Sequence, residues 1–212
     1  MQMEVSLLDT FGDDLTVVNA ARVSFAKEST EMTTGDERLV QYLANHNHVT
    51  PFFHPQLRFR LKMPIFIARE WYRHQIGFAR NEVSRRYVDT LPEIWEPSML
   101  RERDTNKKQG SKDTAIEQND ECLNMIKNHS DSTLELYNTL LSKGVCPEQA
   151  RIVLPQSMLT EFIETGSLAA YARLYKLRSD PTAQREIQEL AERVGTLIAE
   201  KFPVSWKALT AE

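Results

Sequence analysis

Cysteine is nearly absent: Cys122 and Cys146 are the only two in 212 residues. Two thiols cannot build a disulfide scaffold, and neither has metal-ligand spacing, so no metal site is expected. The 7 glycines form no glycine-rich cradle of the P-loop or dinucleotide type, so any phosphate has to be held by side chains. No apolar run approaches the roughly 18 residues that span a bilayer. The first residues, MQMEVSLLDTFGDDL, are acidic where a secretory signal is basic and then apolar. A soluble, cytoplasmic protein without a membrane partner is the expectation. An excess of positive charge is also missing. With 26 Lys and Arg against 30 Asp and Glu, the net charge is -4 and the pI about 5.8, which argues against nucleic acid as a partner. Internal repeats and Gly/Ser linkers are absent, and a single domain over 1–212 is expected.

What is there is an alternation of helical and extended patterns. Residues 14–25 (DLTVVNAARVSF) predict a helix capped near Asp13 or Asp14, and Asp36 to Asn45 a second one, closed by the polar turn at 46–48. Leu57 to Met63 alternates apolar and basic residues at period two, the pattern of a half-buried strand. Pro64 fits the first turn of a helix running to about Gln75. Arg86 to Asp89 reads as extended. Residues 102–128 are polar and poorly periodic and read as a loop, within a variable polar segment near 99–128. Helical periodicity returns at 131–144 and after Pro147. Ser157 to Ile163 predicts a strand, and helices follow at 167–177 and 181–201. Strands with segregated helices define an α+β fold.

The densest chemistry lies in Arg69 to Tyr87, REWYRHQIGFARNEVSRRY. On a helix through Gln75, Arg69, Glu70, Arg73 and His74 share an arc of about 140°. Four arginines, at 73, 80, 85 and 86, fall within fourteen residues of an acidic chain. Two readings stand side by side: a solvated charged face, or an anion site in which planar guanidinium forks and the Ser84 hydroxyl take a phosphate. Cys146, before a proline, reads either as a partly packed residue at a helix start or as a nucleophile. Met and aromatic residues at 63–72 read as core.

The same segment resembles the signature of the flavin-dependent thymidylate synthases, which runs Arg-His-Arg, seven residues, then Ser, continuing as Asn-Glu-x-Ser-x-Arg-Tyr. Here Arg73-His74-Gln75 is followed by eight residues and Ser84, and Asn81 to Tyr87 keeps the second half. Ala21-Arg22-Val23-Ser24-Phe25, His48 to His54 (HVTPFFH), Pro64 to Arg69, Ala150 to Pro155 and Leu177 to Asp180 with Ala183-Gln184 are similar to further blocks of that family, in the same order.

That resemblance implies an α+β fold with an antiparallel or mixed sheet packed with helices. It implies FAD-dependent reductive methylation of dUMP to dTMP, with methylenetetrahydrofolate as carbon donor and NADPH as reductant. A homotetramer with shared active sites is implied too. Ser84, Arg86 and Arg151 are then expected on the dUMP phosphate, with Arg85 among the substrate-binding residues. Glu82 is expected near ribose and flavin, Glu70 and Arg73 beside the nucleotide, and Arg178 on the uracil as the catalytic cation. His48, Thr50, Arg73, His74, Gln75, Ser167 and Arg173 are expected toward FAD. The bland readings remain a salt bridge to Asp180 or a neighbour for Arg178, and loop hydrogen bonding for His48 and His54. Gln75 stands for an arginine and Glu70 for a glutamine. Ser167, Ala169 and Arg173 stand where Asn, Arg and Asn are common, and one extra residue has to bulge the chain within 76–80. The alternatives are a dUMP-modifying enzyme that transfers another one-carbon group, and a non-catalytic nucleotide-binding homologue.

Overall fold

The computed structural model describes residues 3–106 and 110–211. Residues 107–109 of the variable polar segment lie outside the described residues. The strands are β1 (Glu4–Phe11), β2 (Gln56–Pro64), β3 (Phe78–Glu82), β4 (Arg101–Arg103), β5 (Ser111–Ala115) and β6 (Leu159–Ser167). The helices are α1 (Asp14–Arg22), α2 (Thr34–Asn45), α3 (Ile65–Trp71), α4 (Asn119–Ser142), α5 (Pro147–Ala150), α6 (Leu168–Arg178), α7 (Arg185–Lys201) and α8 (Pro203–Thr210). A four-stranded sheet has the order β1-β2-β6-β3, and β4 pairs with β5 as an antiparallel ribbon. The α+β class stands. Among the described residues no helix is long and apolar enough to cross a membrane.

Contacts between Cα positions divide the chain into two compact units. The first comprises Met1–Glu4, Lys62–Trp71 and Glu82–Phe162; the second Val5–Leu61, Tyr72–Asn81 and Ile163–Glu212. In the first unit, Met63, Ile67, Ala68, Trp71, Tyr137, Ala150, Leu159 and Phe162 form the buried apolar set. The backbone N–H groups of Ile65 and Phe66 donate to the carbonyls of Met158 and Gln156. The start of α3 is thereby tied to the segment before β6. Phe66 packs edge-on against Trp95, with centroids 5.5 Å apart.

In the second unit the helices enclose the core. Ile187, Leu190, Ala191, Val194 and Ile198 give α7 a buried stripe at helical spacing. Tyr171 of α6 sits between Phe59 and Phe78, at 5.2 and 4.9 Å. That close packing explains Gly166: a Cβ there would lie 2.5 Å from the Phe78 ring. Asp13 and Thr16 form a capping box at α1, and Thr33 and Asp36 another at α2. Asp36 is buried and is clasped by Arg22, Ser29 and Thr33.

Four sequence expectations need correction. The helix opened by Pro64 ends at Trp71, not Gln75, and Pro64 itself closes β2. Arg73 and His74 therefore sit in a turn, and only Arg69 and Glu70 share a helix. Arg86 to Asp89 is not extended, because Tyr87 and Val88 both donate to the Ser84 carbonyl and close a turn. Residues 102–128 are not a loop: β4 and β5 form a ribbon, and α4 starts at Asn119 rather than 131. Its exposed polar surface carries no apolar stripe for a periodicity to reveal. The last long helix starts at Arg185, since an Asp180 carboxylate accepting from the Thr182 N–H and hydroxyl holds 180–183 as a turn. Strands β1 and β3 and helix α8 had no sequence prediction.

Candidate active site

The predicted residues fall into two groups, one in each unit. In the first unit a cleft of about 550 Å³ is lined by Glu82, Ser84, Arg85, Arg151, Gln156 and Thr160, with Ile65, Ile152 and Leu154 as apolar walls. The strand β6 presents Thr160, whose hydroxyl donates to Glu82 Oε1 at 2.6 Å. This fixes the carboxylate at the end of β3 and leaves its other oxygen free to accept a further donor. Val83 N–H donates to the Glu161 carbonyl at 2.9 Å, which holds the chain just before Ser84. From there the turn at 84–88 sets Ser84 and Arg85 beside Arg151. Arg85 is braced by an Nη1 bond to the Thr90 carbonyl at 2.5 Å.

Arg86 and Arg151 meet Glu148, the first through Nε to its carboxylate at 3.3 Å and the second through Nε to its backbone carbonyl at 3.2 Å. The Arg86–Glu148 pair is about half exposed on both sides. Such a pair contributes about 1 kcal/mol or less, so a phosphate can replace the carboxylate at little cost. Arg86 does not line the cleft itself. Glu70 is half-buried on α3, and its neighbour Arg69 reaches Gln156 Oε1 at 3.4 Å.

In the second unit the turn after Tyr72 brings His74 against Arg178, whose Nε donates to His74 Nε2 at 2.9 Å. Accepting on Nε2 leaves the imidazole proton on Nδ1. Burial, and then the guanidiniums of Arg178, Arg173, Arg80 and Arg73, push the imidazole down to about 4. His74 is therefore neutral through the physiological range. Asp180, one partner considered for Arg178, instead accepts from the Thr182 N–H and hydroxyl. Gln75 and Arg73 are exposed, and the Gln75 carbonyl accepts from Phe78 N–H at 3.2 Å.

Arg80 belongs to the interior. It pairs with Glu164, which is fully buried, and lies over the rings of Phe78 and Tyr72 at 4.8 and 5.3 Å. Burial, and then the Glu164 carboxylate, hold the Tyr171 hydroxyl well above its usual value. Ser167 is also buried, capping α6 by accepting from Ala170 N–H at 3.2 Å. His48 and Thr50 line a cleft of about 820 Å³ with Arg22, Lys27, Tyr42 and His54. Arg173 lines a different cleft of about 750 Å³ with Asn45, Asn47, Lys176 and Leu177. The second unit thus does not bring His48 and Thr50 into one cleft with Arg173.

Sequence reasoning missed Thr160, Gln156 and the Arg178–His74 contact. Only Gln156 left a signal, as the residue directly after the Ala150–Pro155 block. Thr160 reads simply as a β-branched strand residue.

With this geometry in view, the comparisons with known proteins are decisive about class. The model of a family described as thymidylate synthase complementing protein matches residues 6–204. The chain belongs to that family, and it carries a divergent Arg73-His74-Gln75 signature. It is 37% identical over 204 residues to the flavin-dependent thymidylate synthase of Thermus thermophilus, covering 96% of this chain and 74% of the relative. It is 38% identical over 207 residues to the enzyme of the same name from Thermosipho africanus, covering 95% and 88%. Among solved structures it is similar to the UMP/dUMP methylase PolB from Streptomyces cacaoi bound with 5-Br dUMP. That match has a TM-score of 0.87 and 30% identity, and covers 99% of this chain and 95% of that one. The same methylase bound with 5-Br UMP gives a TM-score of 0.88 at 28% identity.

Proposed function

We propose that this chain catalyses the FAD-dependent reductive methylation of dUMP to dTMP, with methylenetetrahydrofolate as carbon donor and NADPH as reductant. It works in the cytoplasm as a homotetramer with shared active sites. The observation that carries the reading is the first-unit cleft, where Ser84, Arg85 and Arg151 converge with a Glu82 carboxylate oriented by Thr160. Guanidinium forks and a hydroxyl suit a phosphate, and a carboxylate suits a sugar hydroxyl. Arg86 joins the phosphate when it leaves Glu148, and Glu70 flanks the nucleotide.

The second unit's residues fit a flavin dinucleotide by donor chemistry. A cation for its phosphates stands at Lys27 beside His48 and Thr50, while Arg22 in the same cleft is held by Asp36. A further set at Lys176 has Asn45, Asn47 and an apolar wall of Val49, Phe53 and Leu177, while the Arg173 guanidinium beside it is taken by the Ile76 carbonyl. His74 and Gln75 offer neutral polar edges, and Ser167 caps the helix that presents Arg173. When bound, the flavin supplies the hydride. Arg178 stabilises the enolate-like charge that gives C5 of the pyrimidine its nucleophilicity, as a cation fixed where charge develops does. A neutral His74 adds no second charge beside that cation and accepts its Nε–H, which holds the guanidinium in one orientation.

A second reading is favoured by the solved neighbour, which is named for UMP as well as dUMP: the ribonucleotide is also an acceptor here. The test is purification followed by single-turnover assay of dUMP and UMP with methylenetetrahydrofolate and reductant. A yellow protein that forms dTMP is expected. A colourless protein that binds dUMP without turnover identifies a nucleotide-binding homologue. Hydroxymethyl-dUMP in place of dTMP identifies a different one-carbon transfer.

A further inference from the structure

Arg173 does something that the resemblance does not assign to it. Its Nη2 donates to the Ile76 carbonyl at 2.5 Å. The end of β6 and helix α6 hold the 74–77 turn at two other points: Ser167 N–H donates to the Gly77 carbonyl at 3.2 Å, and Arg178 Nε to His74 at 2.9 Å. The turn is pressed close. Gly77 adopts φ +85°, and a Cβ there would sit 2.9 Å from the Ala170 methyl. Between these anchors Ile76 points its side chain outward, 73% exposed. The turn leads into the 76–80 stretch that carries one residue more than the signature it resembles, and the exposed Ile76 at its tip has little packing of its own to define it.

We propose that Arg173 is a positioning residue: its guanidinium clamps the Ile76 carbonyl so that the expanded turn keeps His74 on Arg178. The inference rests on the functional reading above for its catalytic consequence, but not for the clamp itself. A charge-assisted hydrogen bond to a backbone carbonyl is strong enough to decide between turn conformations. Asparagine, which the resemblance places at this position, is too short to span from α6 to a bulged turn as arginine does. The longer side chain and the longer turn then form one device.

The test uses the full-length protein and the variants Arg173→Met and Arg173→Lys. Amide hydrogen exchange without ligands reads the clamp. Phe78 N–H, which closes the turn on Gln75, should exchange about tenfold faster in Arg173→Met. It should exchange nearer the parent rate in Arg173→Lys, while Leu174 in α6 is unchanged. In turnover at saturating flavin, kcat should fall about tenfold in Arg173→Met, with flavin affinity unchanged and partial recovery in Arg173→Lys. Unchanged Phe78 exchange in Arg173→Met overturns the clamp. Loss of flavin affinity with parental kcat at saturation overturns it as well, and makes Arg173 a direct ligand contact. If the parent itself shows no turnover, the functional reading fails, while the exchange measurement still decides the clamp.

Discussion

The Arg80–Glu164 pair makes a sharp quantitative test, because it turns one arginine of a basic cluster into a structural group. Glu164 has no exposed surface, and the Arg80 side chain is only 14% exposed. Removing one partner of a buried pair costs about 3–5 kcal/mol, since the other charge loses its opposite charge. The two sides are not equivalent. Arg80 keeps the ring faces of Phe78 and Tyr72 after Glu164→Leu, worth about 0.5–2 kcal/mol, and its flexible stem allows the head to move toward water. Glu164 has no such exit after Arg80→Met. Arg80→Met should therefore destabilise by about 4–5 kcal/mol and Glu164→Leu by about 3. The double variant should cost no more than Arg80→Met alone, since an apolar pair leaves no orphan charge. The measurement is urea unfolding at one fixed protein concentration, so that subunit association does not shift the midpoints. A double variant whose loss equals the sum of the singles within about 0.5 kcal/mol would refute the coupling.

Further outcomes follow from the same geometry. The Thr33 hydroxyl, with Arg22, the Thr33 N–H and Ser29, holds the Asp36 carboxyl at about 2 against the usual 3.8. Its folded-state value is depressed, so its contribution of about 2 kcal/mol is full above pH 4 and lost as pH falls toward 2. Asp36→Asn should remove this acid-limb dependence in unfolding curves, and an unchanged limb would exclude the assignment. Arg151→Ala and Arg86→Ala should each weaken dUMP about ten- to hundredfold by calorimetric titration, and parental affinity in both would displace the phosphate from this cleft. Thr160→Val should weaken dUMP about tenfold, with Thr160→Ser close to parent; equal losses in both would mean that packing, not the hydroxyl, matters. Arg178→Ala should retain flavin yet lose most single-turnover dTMP formation. In the same variant the His74 titration should move up from about 4 toward its usual 6.5, as followed by imidazole NMR. Near-normal turnover would remove the catalytic role of Arg178.

Sequence alone carried the features that repeat along a single element. The alternation of Leu57, Phe59, Leu61 and Met63 with Arg58, Arg60 and Lys62 specifies a strand with one buried face, because successive side chains point to opposite sides. The apolar stripe of α7 and the Asp13 cap are legible for the same reason: each is written within a few residues. The ordered blocks around Arg22, Thr50, Ser84, Arg151 and Arg178 were enough to give the family. Tertiary structure decided what each charged group does. Nothing local says that Arg80 turns inward to Glu164, that Arg86 rests on Glu148, or that Arg173 holds the Ile76 carbonyl. Glu82 with Thr160 and His74 with Arg178 join residues 78 and 104 positions apart. The polar ribbon and the early start of α4 escaped because their exposed faces carry no apolar period. Hydrophobic burial leaves a local pattern because it acts on each element's own face. A charge's role is set by its partner, and only the folded chain chooses the partner.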